Sequence, residues 1–155
     1  MTIDTSGKSA NYTGSTLEKF IGDRLIERKY QFIDRGKFTA AMYLEQPIYT
    51  KQMHLGNSIY ETPMYGDFVL YHPEKWKDGL IIESKWQQSG GSVDEKFPYF
   101  VLNIQQRHPH KTVVLLDGGG YKKQAEKWLR GQVGNNLIHV FNMGEFQKWA
   151  NKGHI

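Results

Sequence analysis

The chain has 155 residues, 39% of them hydrophobic and 14% aromatic, which suits one ordinary domain with a single core and is too apolar for general disorder. It contains no cysteine, which excludes thiol nucleophiles, disulfides and cysteine-ligated zinc; its formal net charge of +4 hints at a polyanionic partner such as nucleic acid. No apolar run reaches transmembrane length and no signal-peptide pattern occurs, so a soluble, cytoplasmic protein with no membrane partner is expected.

Residues 1–13 are small and polar with no period and read as a flexible leader, followed by one domain over 14–155. In the segment from Gly14 to Tyr30, Leu17, Phe20, Ile21 and Leu25 recur at helical spacing, which predicts a helix from about Thr16 to about Tyr30. Ser15 and Glu18 have the spacing of a capping box at its start. From Phe38 to Tyr60, β-formers broken by Pro47 and Gly56 predict strand or irregular structure. The run GDFVLYHP and the run LIIESKWQ read as two strands of a hairpin, with the polar stretch between them ending in an Asp-Gly turn signal at Asp78 and Gly79. A second helix follows, with Ser92 and Glu95 at capping spacing and Phe97, Phe100, Val101 and Ile104 as its apolar stripe. Pro98 either kinks it or marks its true first turn. KTVVLLD is a buried-strand run, YKKQAEKWLRGQV a third helix, NLIHVF another strand, and a last short helix begins with Asn142 and Glu145 at capping spacing. The order of elements predicts a single α/β domain with a mixed central β-sheet flanked by helices. Trp86, Trp128 and Trp149 fall at apolar positions and are expected in the core.

Alternation along the hairpin raises a chemical question. Ile81, Glu83, Lys85 and Gln87 share one face of their strand, and Asp67, Val69 and Tyr71 share one face of the preceding strand. A hairpin brings Asp67 and Glu83 side by side, so two carboxylates and an ammonium converge at the edge of a core. Burying any of them alone is costly, and such a pair is rarely there for stability. A hard cation and a phosphate explain all three: the carboxylates hold Mg2+, which polarises a scissile phosphate and lowers the pKa of its bound water. The lysine orients that water and offsets charge in the transition state.

The pattern "GD…ESK" followed by helix, strand and helix resembles the PD-(D/E)xK nuclease superfamily, with its restriction-endonuclease-like fold. The segments IIESKWQ (Ile81 to Gln87) and GSVDEKFPY (Gly91 to Tyr99), and the downstream VVLLDGGGYKKQAEKWL, are similar to those of small restriction-type endonucleases. The resemblance covers Gly14 to Trp149. It departs at Gly66, which stands where the superfamily's pattern has a proline that its members often lack. It implies a Mg2+-dependent DNA endonuclease, with Mn2+ as a substitute, leaving 5′-phosphate and 3′-hydroxyl ends. Asp67 and Glu83 would bind the metal with the backbone carbonyl of Ser84, and Lys85 would position the water. It also implies a helix-borne glutamate near the metal, for which Glu18 is the matching position; that role competes with helix capping.

DNA-binding candidates are Gln87 on the catalytic face, Ser92 at a helix start, Lys96 one turn further on, and Lys123 and Lys127, which share a helix face with Arg130. Each has a plainer reading as a surface, cap or solvated-face residue. The segment RHPHK (Arg107 to Lys111) reads as a basic loop, and DGGGY (Asp117 to Tyr121) as a strand-to-helix turn, because it lacks the endings of phosphate-binding loops. A homodimer acting on a short duplex site is expected, with the tyrosine-rich stretch from Tyr43 to Tyr65 offering a dimer surface or DNA contacts. A structure-specific nuclease such as a Holliday-junction resolvase is the enzymatic alternative, and a non-catalytic DNA-binding module of the same fold is the other.

Overall fold

The computed structural model describes residues 6–87, 90 and 93–155, with side chains from residue 14 onward. Among these residues, six strands form one sheet in chain order: β1 (Gln31–Phe32), β2 (Ile48–Asn57), β3 (Pro63–His72), β4 (Trp76–Trp86), β5 (Lys111–Asp117) and β6 (Leu137–Phe141). The sheet is mixed. β1 and β2 are parallel, β2, β3 and β4 form an antiparallel meander, and β4, β5 and β6 are parallel. Five helices flank it: α1 (Ser6–Glu27), α2 (Phe38–Ala41), α3 (Phe97–Gln106), α4 (Lys123–Arg130) and α5 (Met143–Asn151). No described helix is long and apolar enough to cross a membrane.

The two faces of the sheet follow from alternation. On one face Phe68, Leu70, Leu80, Ile82, Val113 and Leu115 pack under α1 and α5, which contribute Leu17, Ile21, Leu25, Phe146, Trp149 and Ala150. The other face is covered in two patches. Phe38 of α2 packs on Ile48, Val69 and Ile81. Phe97, Val101 and Ile104 of α3 and Leu129 of α4 pack on Val114, Leu116 and Val140. A seam therefore runs between the patches, along the C-terminal half of β4.

Several expectations change. α1 begins at Ser6, so Ser15 lies inside the helix and cannot be its cap; helical geometry there leaves its neighbours' N–H groups bonded within the helix. The Asp78-Gly79 pair is not the hairpin turn. The turn is residues 73–75, held by His72, whose Nδ1 accepts from the N–H groups of Glu74 and Lys75 at 3.1 Å each. Gly79 instead sits within β4 at φ +94°, beside a register shift in the β3–β4 pairing. A side chain there would meet the His110 ring at 2.9 Å. Trp128 is 41% exposed, because α4 turns its Leu129 face to the sheet; Trp149 is buried and Trp86 half-buried as expected. Pro98 marks the first turn of α3, which follows a short 3-10 turn over Asp94–Lys96. Asn142 and Glu145 form the capping box of α5, each side chain bonded to the other's backbone N–H.

The RHPHK segment is tied into the fold. Arg107 pairs with Glu61 at 2.9 Å, and Lys111 donates to the Asn135 carbonyl. His108 is buried with its Nδ1 2.9 Å from the Thr112 hydroxyl. Burial first, and the neighbouring His110 second, push its pKa down to about 4. A histidine held neutral by the fold stabilises it fully above the unfolded pKa near 6.5, and that contribution is lost as pH falls toward 4. We therefore expect the parent protein to lose up to roughly 3 kcal/mol across this window. His108→Gln should flatten the fall in melting temperature between pH 6.5 and 4; a profile as steep as the parent's would remove this assignment.

Candidate active site

The site grows out of strand register. β3 and β4 pair Phe68 with Ile82 and Val69 with Ile81, so the next step puts Asp67 opposite Glu83. Both point to the seam side of the sheet, with Val69 and Ile81. In the parallel pairing with β5, Glu83 lies beside Val114 and Lys85 beside Leu116. The carboxylate pair thus sits where the α2 patch ends and the α3–α4 patch begins, and Lys85 follows two residues on.

Glu83 is 4% exposed. Its carboxyl is held well above the usual carboxylate range, first by burial and then by the adjacent Asp67 carboxylate, whose side chain is within hydrogen-bonding reach. Lys85 and the Asp67 backbone N–H pull the other way without cancelling this. Asp67 is half-buried and firmly oriented. Its Oδ2 accepts from the Ser84 N–H at 2.9 Å and lies 3.4 Å from the Ser84 hydroxyl, and its Oδ1 accepts from Gln52 Nε2 at 3.1 Å. Lys85 Nζ rests 4.8 Å from the centre of the Phe100 ring of α3, a cation–π contact that keeps the ammonium near the carboxylates without bonding it to them.

Two adjacent carboxyls, one of them buried and held above the usual carboxylate range, form a costly pair that a divalent cation between them would relieve. Among the described residues no cluster of three or more His, Cys, Asp or Glu side chains forms a metal site. Two carboxylates completed by backbone, water and phosphate oxygens suit Mg2+, which keeps several waters and takes one or two carboxylates. Gly66 is buried against Leu55 and Val69; a Cβ there would come within 3.2 Å of both side chains.

Other candidates are distributed differently. Glu18 is exposed on α1 and makes no hydrogen bond or ion pair among the described residues. Gln87 is buried, not presented to solvent: Nε2 donates to the Gly120 carbonyl at 2.9 Å and Oε1 accepts from the Val93 N–H. It ties the end of β4 to the loop before α4, because both of its amide atoms already have protein partners. Lys96 is exposed at the edge of a cleft that Lys85 also lines. Lys123 and Lys127 are exposed on α4, remote in the chain from the carboxylates. Arg130, expected beside them on a DNA-tracking face, is instead bonded to Glu126, Glu145 and the Val140 carbonyl, which locks α4 to α5. Ser92 lies outside the described residues. Sequence reasoning missed Gln52. It stands opposite Asp67 in the β2–β3 register, between the pairs Lys51–Phe68 and Met53–Gly66, and its backbone is left-handed at φ +52°. Arg35 donates to its carbonyl at 3.1 Å. A lone glutamine in an irregular stretch carries no local signal.

The glycine turn after β5 is the strand-to-helix connection that its composition predicts. Gly118 has φ +104°, and a Cβ there would lie 2.4 Å from the Gln87 carbonyl oxygen. Gly118→Ala combines a left-handed penalty with a clash against backbone, so a loss of at least about 2 kcal/mol is expected. Chemical denaturation checks this; an unchanged midpoint would show that the turn relaxes freely.

A family model described as a PD-(D/E)XK nuclease superfamily domain matches residues 9–154. A search of curated proteins and a search of solved structures each return no match.

Proposed function

Because the chain belongs to the PD-(D/E)XK nuclease superfamily, we propose that it is a Mg2+-dependent DNA endonuclease whose reaction runs at Asp67, Glu83 and Lys85. The observation that carries this reading is the pairing of the Asp67 and Glu83 carboxyls on adjacent strands, with Lys85 on the same face two residues on. Asp67, Glu83 and the Ser84 carbonyl would hold the ion. When bound, Mg2+ (or Mn2+) polarises the scissile phosphate and lowers the pKa of a bound water.

The chain's own groups do the rest. The Ser84 N–H and Gln52 fix the Asp67 carboxylate in one orientation, so it meets a cation already aligned. A bound cation would offset the burial and the like charge of Asp67 that raise the Glu83 pKa, and so favour its ionised form. Lys85 orients the attacking water and offsets the negative charge that builds on the phosphate. In-line attack with loss of the 3′ oxygen leaves a 5′-phosphate and a 3′-hydroxyl. Lys96, at the cleft beside Lys85, is suited to contact a phosphate of the same strand, and Lys123 and Lys127 a more distant stretch of backbone. Glu18 has no partner that supports a ligand role, and the mechanism does not require it.

Cutting both strands of a duplex needs two sites, and a homodimer is the simplest supply. Tyr43 and Leu44, 89% and 66% exposed, offer apolar surface for such a contact. The test is incubation of purified protein with Mg2+, Mn2+ or EDTA and with plasmid, linear duplex, single-stranded and branched DNA. Cation-dependent cleavage of at least one DNA supports the reading. Shifted but uncut DNA under every condition would make the chain a binding module.

A further inference from the structure

The cleft beside Lys85 is built for more than a phosphate. It has a volume of about 200 Å3 and is lined by Val93, Phe97, Tyr99 and Phe100, with Lys85 and Lys96 as its cations. Beside it the tip of the β2–β3 hairpin docks against α3, partly on residues that line the cleft. The Ile59 N–H donates to Asn103 Oδ1 at 2.9 Å, Glu61 pairs with Arg107, and Tyr60 stacks on Tyr99 with ring centres 4.8 Å apart. Tyr60 is nonetheless 72% exposed. The Tyr60 ring at the edge of this apolar cleft contributes little to folding, since most of its area stays wet.

We propose that this cleft takes one unpaired nucleobase of the strand being cut, so that the substrate is DNA with an unstacked nucleotide next to the scissile phosphate. The proposal rests on the nuclease reading for the position of the cut. Three features select this occupant. Aromatic and apolar walls suit a flat π-surface of any base identity, which stacks without hydrogen-bond readout. The space is too small for the 300–1,000 Å3 typical of larger ligands and suits a single ring system. Lys85 joins the cleft to the carboxylate pair, and it and Lys96 complement the phosphates on either side of an inserted base. A base within a continuous duplex stack cannot enter, so fully paired DNA must first be unstacked at some cost, whereas a bulge, gap or branch presents a base already free.

The experiment compares three labelled DNAs by fluorescence anisotropy, with Ca2+ replacing Mg2+: a paired duplex, the same duplex with a one-base bulge, and the bulge with an abasic residue. The parent should bind the bulge about tenfold more tightly than the abasic bulge. Tyr99→Ala should erase that difference, and Tyr99→Phe should retain it. Tyr60→Ala, at an exposed position, should reduce it and covers the case in which Tyr99→Ala fails to fold. With Mg2+, cuts should map beside the bulged base. Equal binding of the base-bearing and abasic bulges by the parent, full preference retained in both alanine variants, or no DNA binding would overturn the proposal. Base-dependent binding without cleavage in Mg2+ or Mn2+ would support the cleft while rejecting the nuclease reading. Cleavage with no base dependence would do the reverse.

Discussion

Lys85→Ala is expected to lower the rate of Mg2+-dependent cleavage by roughly 10^2- to 10^4-fold while changing DNA affinity only slightly. The asymmetry follows from position. Lys85 stands beside the carboxylate pair at the cleft, where in the proposed reaction its charge would meet one phosphate and one water. Affinity for DNA spreads over many backbone contacts, of which this is one. The substitution also removes a charge that holds the Glu83 pKa down, so any residual activity should need higher pH to develop. Lys85→Arg separates charge from geometry: it keeps the cation over Phe100 but replaces a compact ammonium with a planar fork, and a large rate loss is still expected. The measurement is single-turnover cleavage with enzyme in excess, alongside anisotropy. A Lys85→Ala protein that cuts at the parental rate would end the assignment.

Glu83→Gln is expected to abolish cleavage and, in the absence of metal, to raise the melting temperature. A carboxyl whose pKa is raised in the fold stabilises it below the unfolded value near 4.3, and this contribution is lost as pH rises through the folded value. Above that point the parent must bury a charge beside Asp67. Glutamine keeps the shape of the protonated acid and never ionises. The gain in melting temperature should therefore be largest near pH 8 and vanish toward pH 4. Added Mg2+ should stabilise the parent and leave the variant unchanged, because a ligand that binds only the folded state raises its stability. Asp67→Asn should likewise abolish cleavage, and it relieves Glu83 of its like-charged neighbour. If Glu83→Gln melts below the parent at pH 8, the pair is not electrostatically strained and is no cradle for a cation.

If the site holds a cation as proposed, it keeps two carboxylates close where a stable core would have none, and folding free energy is given up for function.

How much of this was legible without coordinates depends on the range of the interaction. The period-two alternation of β3 and β4 assigns Asp67, Glu83 and Lys85 to one face, because neighbouring side chains on a strand must point to opposite sides. The hairpin then makes their meeting almost a local event. The Asn142–Glu145 capping box and the buried run of β5 were readable for the same reason: their partners lie within a few residues. Ser15 and Glu18 show the limit of such spacing, since the same pattern falls inside a longer helix.

Composition, the faces of the strands and the membership of the proposed catalytic trio were determined by the sequence alone. Tertiary structure alone decided that Gln52 and Arg35 brace Asp67, that Phe100 carries the Lys85 ammonium, that Gln87 and Arg130 serve the scaffold, and that Trp128 faces solvent. It also decided that the β2–β3 tip meets α3 across more than forty residues of chain, at Ile59 with Asn103 and Glu61 with Arg107. The physical reason is that residue periodicity constrains direction only relative to a residue's own backbone. Which distant surface lies in that direction is set by how the sheet and helices pack, and that depends on the whole core at once.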